Sequence, residues 1–113
     1  MTRSKLFLSF AASVLAVVAL STDAEAGCPD ADRCTLEQCQ ERQRAVHPTC
    51  DRPRACSRGM TRAQLTTARF RSVECLDARV TVQACFSNPD RGHQQAIQNV
   101  MRSIEKCDDL LGD

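Results

Sequence analysis

The sequence has few aromatic residues and almost no lysine. It contains no Trp and no Tyr, and two of its four Phe residues, Phe7 and Phe10, lie in an N-terminal apolar run. Without large rings, the core of any folded domain must be aliphatic and sulfur-rich. Beyond residue 26 the only lysine is Lys106. Nearly all positive charge there is therefore carried by arginine, whose planar guanidinium suits bidentate contact with phosphate or carboxylate.

The motifs of several enzyme and metal-protein classes are also missing. There is no G-x-S-x-G, no glycine-rich phosphate loop, no H-E-x-x-H and no calcium loop. No C-x-x-C pair occurs and there are only two histidines, so the spacing does not favour zinc over disulfides. We therefore predict no metal site and no cofactor. A metal or electron-transfer protein is the weakest alternative, because ligand spacing is lacking.

The first 26 residues predict a cleaved signal peptide. Arg3 and Lys5 give a cationic start, residues 6–20 form an apolar run, and the motif A-E-A at 24–26 has the small-x-small pattern of a signal-peptidase site. The apolar run is shorter than the roughly 20 residues that a transmembrane helix needs. We expect a secreted or periplasmic protein with no transmembrane segment and a single cysteine-rich domain over residues 27–113.

A lipoprotein site at Cys28 is the alternative to free secretion. Glu25, however, occupies a position where such sites normally carry an aliphatic residue, and acylating one cysteine would leave an odd number of thiols. An even set of cysteines in a short secreted domain instead predicts four disulfides. Their pairing is open, because eight cysteines allow on the order of 100 connectivities. The set comprises Cys28, Cys34, Cys39, Cys50, Cys56, Cys75, Cys85 and Cys107.

Helix-start signals and apolar spacing predict three helices and no strand. Capping boxes of the form T-x-x-Q open the first two helices at 35–38 and 61–64. Pro48 is expected to end the first, and the third extends from about His93 to Leu111. The expected inner faces, at helical spacing, are Leu36, Cys39 and Val46, then Leu65, Ala68, Cys75, Leu76, Val82 and Phe86, then Ile97, Val100, Ile104, Cys107 and Leu111. The predicted fold is an all-α, small three-helix domain stapled by disulfides.

His93 is the strongest candidate for a catalytic side chain. It shares the apolar meridian of the third helix, so it is expected to face the core, and Asp90 is placed to cap the helix three residues earlier. The positive end of the helix dipole holds a histidine at a helix N-terminus toward its neutral form, which is the form that a general base requires. His93 and Asp90 are therefore predicted site residues. The alternative is a buried structural histidine bonded to a nearby carbonyl.

His47 is a second candidate, at the end of the first helix. A capping or solvent-facing role is the alternative, since a helix C-terminus favours a cation. Two histidines acting as acid and base form a nuclease-like arrangement in which Arg52 or Arg54 could stabilise a phosphorane. With Arg58, these two arginines are the predicted anion-binding residues. The sequence alone does not bring His47 and His93 together.

The central part of the chain is strongly basic. Between residues 42 and 79 only three acidic residues, Asp51, Glu74 and Asp77, stand against nine arginines. This region is the predicted contact for RNA or another anionic ligand. The alternative is a solvated face whose arginines pair with the acidic ends of the chain. The arginines are Arg42, Arg44, Arg52, Arg54, Arg58, Arg62, Arg69, Arg71 and Arg79.

Two segments resemble a known family. The first is H-P-T-C-D-R-P-R-A-C at 47–56; the second runs from Cys75 to Phe86 and is followed by D-R-G-H-Q-Q-A at 90–96 and then Cys107. Over about residues 34–111 this pattern resembles the novel toxin 16 domain of bacterial polymorphic toxins, in which a Cys-Phe pair precedes a Gly-Asp-x-Gly-His turn and a helix ending in Cys. Asn88 and Pro89 replace the glycine pair of that turn.

The resemblance implies an all-α disulfide-bonded domain of a toxic effector, with His93 and Asp90 carried over as site candidates and a cognate immunity protein as a partner. It assigns no reaction. We consider two functions: a secreted effector that hydrolyses a phosphate-bearing substrate such as RNA, and a non-catalytic binding or structural module. The second predicts an enclosed His93 with no cleft beside it. A domesticated relative or an inactive decoy would belong to the second class.

Overall fold

The computed structural model describes residues 27–112, and within them it contains helices and no strand. A 3-10 turn, Cys28–Asp30, belongs to the segment that ends at Asp30. The unit that begins at Ala31 contains three helices: α1, Leu36–Cys50; α2, Arg62–Gln83; and α3, Arg91–Leu111. The predicted all-α, three-helix architecture is confirmed. The predicted signal peptide lies outside the described residues.

The first two helices begin at the residues that the sequence predicts, and the third begins at Arg91, two residues before the predicted His93. Thr35 and Thr61 are N-caps with complete capping boxes, in which the threonine side chain accepts from the backbone N–H three residues later and the glutamine there accepts from the cap N–H. Asp90 caps α3 by accepting a hydrogen bond from the backbone N–H of His93. These contacts satisfy N–H groups that the first turn of a helix leaves without intrahelical partners.

The first helix continues past Pro48, where the sequence analysis expected it to end. Proline removes only its own N–H, and the following residues still find acceptors one turn back. The hydroxyl of Thr49 donates to the Ala45 carbonyl at 2.7 Å, and the backbone N–H of Asp51 donates to the His47 carbonyl at 2.9 Å. The last turn of α1 therefore forms around the proline, and the helix ends at Cys50.

The helix α2 is central, because α1 and α3 each pack along it while their backbones do not pack against each other. Its buried side chains follow the predicted stripe, including Leu65, Ala68, Cys75 and Val82. Phe86 is buried too, but it lies in the turn that follows the end of α2. On α1 the prediction is wrong for Leu36, which is 50% exposed.

Disulfides tie the helices together. Cys50–Cys75 joins the last turn of α1 to α2, Cys56–Cys107 joins the α1–α2 loop to α3, and Cys34–Cys85 joins the segment before α1 to the turn after α2. None of the eight cysteines is free, as the sequence predicts.

Sulfur fills much of the interior. One core cluster surrounds Cys56 and Cys107 with Leu65 and Ala68, and another surrounds Cys50 and Cys75 with Val100. Within residues 27–112, no helix is long and apolar enough to span a membrane.

Candidate functional site

The two histidines line the same surface cleft. This cleft has a volume of about 230 Å³ and opens where side chains of all three helices come together. We call it the His47–His93 cleft. Its walls carry two imidazoles, one guanidinium and one amide over an apolar floor, and no carboxylate is among its lining side chains. Those side chains are Gln43, Val46 and His47 of α1, Arg79 and Val82 of α2, and His93 of α3.

His93 is held from two sides. Its Nδ1 lies 3.0 Å from the Oδ1 atom of Asp90, and its ring lies against the ring of Phe86 with centroids 5.1 Å apart. The side chain is 24% exposed, so it is neither sealed in the core nor free in solvent. The enclosed His93 required by the non-catalytic alternative is therefore not observed among the described residues.

Asp90 acts on the backbone and on the imidazole at once. Its pKa is lowered, first because the backbone N–H of His93 donates a hydrogen bond to it and also because of the His93 charge. The carboxylate is therefore ionised near neutral pH and can only accept hydrogen bonds. The Nδ1 atom of His93 must then carry the proton in this contact, which leaves Nε2 as the atom available for proton transfer.

His47 has the same kind of partner on its own helix. Its Nδ1 lies 3.0 Å from Oδ2 of Asp51, four residues later in the chain. The His47 side chain is 85% exposed, so this contact orients it less firmly than Asp90 and Phe86 orient His93. Two imidazoles whose Nδ1 atoms each face a carboxylate, on opposite walls of one cleft, can supply one proton acceptor and one proton donor.

Arg79 is a cleft residue that the sequence analysis did not single out. It is half-buried, and its Nε atom is buried without a hydrogen-bond partner. A signal was present in the sequence, because Arg79 stands four residues after Cys75 and three before Val82, within the buried stripe of α2. A charged residue at such a position needs a partner or a function.

The three predicted anion-binding arginines do not line the His47–His93 cleft. Arg52 forms an ion pair with Glu74 at 3.1 Å, and the Nε–H of Arg54 donates to the Cys50 carbonyl at 3.1 Å. Arg58 is exposed in the α1–α2 loop. Anion binding by these three residues stays a prediction, separate from the histidine pair.

A larger groove of about 620 Å³ lies between α1 and α2, but its character is different. It is lined by Glu41, Glu74 and Asp77 together with Arg42 and contains neither histidine. The Arg42 guanidinium is already engaged, since it donates to the Thr81 carbonyl and to Cys85 Sγ. This groove therefore repels an anionic substrate and offers no acid–base pair.

Three sulfur atoms lie close enough to suggest a metal site, but they are not available as ligands. The Sγ atoms of Cys34, Cys39 and Cys85 lie within 4.8 Å of one another. All three residues are disulfide-bonded, and a thiolate is the form of cysteine that binds metal. In the oxidised protein this cluster is a crossing of disulfides.

Comparison with known proteins connects the chain to the family that its sequence resembles. The model of the family described as Novel toxin 16 matches residues 29–110. No curated protein and no solved structure matches the chain significantly. The matched region contains α1 and α2 and α3 up to its penultimate residue, and with them all six cleft residues.

Proposed function

The chain belongs to the novel toxin 16 family, and from this premise we propose that it is a secreted or periplasmic effector that hydrolyses a phosphate-bearing substrate such as RNA. The proposed reaction takes place in the His47–His93 cleft. The observation that carries the proposal is the presence of both histidines in one cleft, each with Nδ1 at 3.0 Å from a carboxylate. This arrangement leaves two Nε2 atoms for proton transfer.

We assign the general base to His93 and the general acid to His47. His93 is the better oriented of the two, between Asp90 and Phe86. His47 lies in the last turn of α1 and is the more exposed of the two side chains. The assignment places the fixed base and the more mobile acid on opposite sides of the scissile phosphodiester.

With RNA as substrate, the first step is an internal transfer. His93 Nε2 takes the proton of the ribose 2′-hydroxyl, O2′ forms a bond to phosphorus, the P–O5′ bond breaks, and His47 donates its proton to O5′. The products are a 2′,3′-cyclic phosphate and a 5′-hydroxyl. In the second step His47 takes a proton from water, the resulting hydroxide opens the cyclic phosphate, and His93 returns a proton to O2′.

A nuclease assay on the oxidised protein tests this function. We expect cleavage of a single-stranded RNA oligonucleotide and no cleavage of the DNA of the same sequence, which lacks the attacking 2′-hydroxyl. His93→Ala and His47→Ala should each lower the rate by about 10²- to 10⁴-fold, which is the usual contribution of a general acid or base. Gln98→Ala, at an exposed position of α3, is the matched control and should leave the rate unchanged.

Two results would overturn the proposal. Unchanged cleavage by both histidine variants would show that the cleft is not the active site. Complete inactivity of the folded wild-type protein on RNA and on other phosphodiesters would favour the non-catalytic binding module.

A toxin of this kind needs protection in the cell that makes it. We propose that disulfide formation after export supplies part of that protection, since most of the buried apolar side chains are cysteines and the reduced chain should be barely stable. We propose a cognate immunity protein as the second part. Its presence is tested by co-expression, which should restore growth to cells that the wild-type toxin arrests.

A further inference from the structure

We propose that Arg79 binds the phosphate of the substrate in the His47–His93 cleft. This inference rests on the proposed function for the location of the site, and it adds the ligand-binding residue and the charge that the ligand must carry. Arg79, on α2, lines the same cleft as both histidines. Arg79 belongs to the central basic region that the sequence predicts to contact an anionic ligand, whereas Arg52, Arg54 and Arg58 do not line this cleft.

The first argument is that Arg79 has no partner of its own. Five arginines in the described chain are half-buried, and four of them make a hydrogen bond or ion pair with the protein. Arg79 makes none with any residue of 27–112, and its Nε atom is buried. The four arginines with a partner are Arg42, Arg54, Arg69 and Arg71, although the Nε atom of Arg71 is also buried without an acceptor.

The second argument is energetic. A buried N–H donor without an acceptor loses the free energy of its hydration and regains nothing, and a guanidinium cannot shed its charge to reduce that penalty. A folded domain that keeps such a group at a cleft gains the missing hydrogen bonds when an acceptor of suitable shape enters. Phosphate presents oxygens at the spacing of the guanidinium fork.

The third argument is the sign of the charge that lines the cleft. Its charged and titratable lining groups are Arg79, His47 and His93, and none is acidic. The carboxylate of Asp51 contacts Nδ1 of His47, and the carboxylate of Asp90 contacts Nδ1 of His93. Val82 and Val46 supply an apolar floor, where a charge–charge contact is less screened than in water. The cleft therefore selects one phosphodiester or phosphate anion and disfavours cationic ligands.

Gln43 completes the proposed recognition. It lies one helical turn before His47 on α1 and lines the same cleft. Its amide offers both a donor and an acceptor to groups next to the phosphate, while Arg79 bears the charge. We assign binding to Arg79 and not proton transfer, because a guanidinium does not deprotonate in proteins.

Inorganic phosphate is the probe that tests this inference without requiring any reaction. In the oxidised wild-type protein, titration with phosphate should shift the NMR signal of the Arg79 Nε–H, and the dissociation constant can be read from the shift. Arg79→Gln should weaken phosphate binding at least tenfold. Arg79→Lys keeps the charge but loses the fork, so its affinity should fall between those of Arg79→Gln and the wild type.

Arg102→Gln is the matched control, because Arg102 is exposed on α3 and lies outside both the cleft and the central basic region. It should bind phosphate like the wild type. The thermal stability of Arg79→Gln should equal or exceed that of the wild type, since the substitution removes a buried Nε–H that lacks an acceptor. Wild-type affinity in Arg79→Gln, or an unshifted Arg79 signal at saturating phosphate, would overturn the inference.

The two proposals can fail separately. Phosphate binding that depends on Arg79, in a protein that cleaves no phosphodiester, would uphold the binding site and reject the hydrolytic function. RNA cleavage that depends on His93 but proceeds at the wild-type rate in Arg79→Gln would uphold the function and reject the role of Arg79.

Discussion

At the scale of single residues, Asp90 links the stability of α3 to the orientation of His93. One carboxylate oxygen, Oδ1, accepts from the backbone N–H of His93 at 2.9 Å and contacts its Nδ1 at 3.0 Å. The first contact is a helix cap, and the second fixes the imidazole. Substitution can separate the two roles, because serine is also a good N-cap but has no carboxylate.

The first prediction concerns Asp90→Ala and Asp90→Ser. Alanine should lower the free energy of unfolding by about 1 kcal/mol through loss of the cap, measured by chemical denaturation. Serine should stay within a few tenths of a kcal/mol of the wild type. Because both variants release the His93 ring, both should lower RNA cleavage by about 10- to 100-fold. Full activity in Asp90→Ser would show that the carboxylate does not orient His93.

The second prediction concerns acid stability. The pKa of Asp32 is lowered by hydrogen bonds from the Ser87 hydroxyl and backbone N–H, and the pKa of Asp90 is lowered chiefly by the His93 backbone N–H. In each case the folded-state pKa lies below the ordinary value of 3.8. The unfolded chain then binds more protons between the two values, so this stability is present above pH 3.8 and is lost as pH falls through the folded pKa.

The measurement is the thermal midpoint from pH 6 down to pH 2. The double variant Asp32→Asn, Asp90→Asn should show a shallower decline than the wild type, because asparagine does not titrate in this range. At position 90 its amide oxygen still caps the helix. Identical pH profiles for the two proteins would exclude these carboxylates as the source of acid sensitivity.

The site was only partly readable from the sequence at this scale. His93 and Asp90 were identified from their position on a helix start, and their contact follows from the three-residue spacing. The sequence could not predict that His47 and His93 line one cleft, because this depends on how α1 and α3 pack along α2. Arg79 was included only as one of nine central arginines, although its place in an apolar stripe was visible.

At the scale of the helices, local sequence governs where each one begins. The boxes at Thr35 and Thr61 and the cap at Asp90 were all predicted and confirmed, because each is a contact over three residues. Helix ends and inner faces depend more on distant contacts. Leu36 lies at an inner-face spacing yet is exposed, because it occupies the first position of α1, where the helix has only begun to pack.

The third prediction tests the capping box of α2. Thr61→Ala should lower the free energy of unfolding by about 1 kcal/mol, since it leaves the Gln64 N–H without its acceptor. Thr66→Ala is the matched control: this exposed threonine donates its hydroxyl to the Arg62 carbonyl within the same helix and should cost no more than about 0.5 kcal/mol. Equal losses in the two variants would show that the box does not stabilise α2.

At the scale of the whole molecule, sulfur replaces much of the usual hydrophobic core. Within the described chain, seven of the twelve buried apolar residues are cysteines, and the others are Leu65, Ala68, Val82, Phe86 and Val100. Packing and covalent cross-linking are thus provided by the same side chains. The number of disulfides followed from parity and compartment, whereas their pairing required the three-dimensional arrangement.

The fourth prediction compares two disulfides. Replacing either Cys50 and Cys75 or Cys56 and Cys107 with alanine should cost about 2 to 4 kcal/mol, measured by denaturant unfolding. Only the first pair should weaken phosphate binding, because Cys50 lies one turn beyond His47 on α1. The second pair lies with Leu65 and Leu111, away from the cleft. Equal effects on phosphate binding would show that neither bond specifically supports the cleft.

The disulfides also keep parts of the chain covalently joined when a peptide bond between them is cleaved. A protease cut between Ser87 and Pro89 would leave two pieces joined through Cys56–Cys107. A cut between Ser57 and Met60 would leave two pieces joined by three bonds. Either nicked protein remains one covalent body that carries both histidines. A single cut in either of these loops therefore need not release a fragment of the domain.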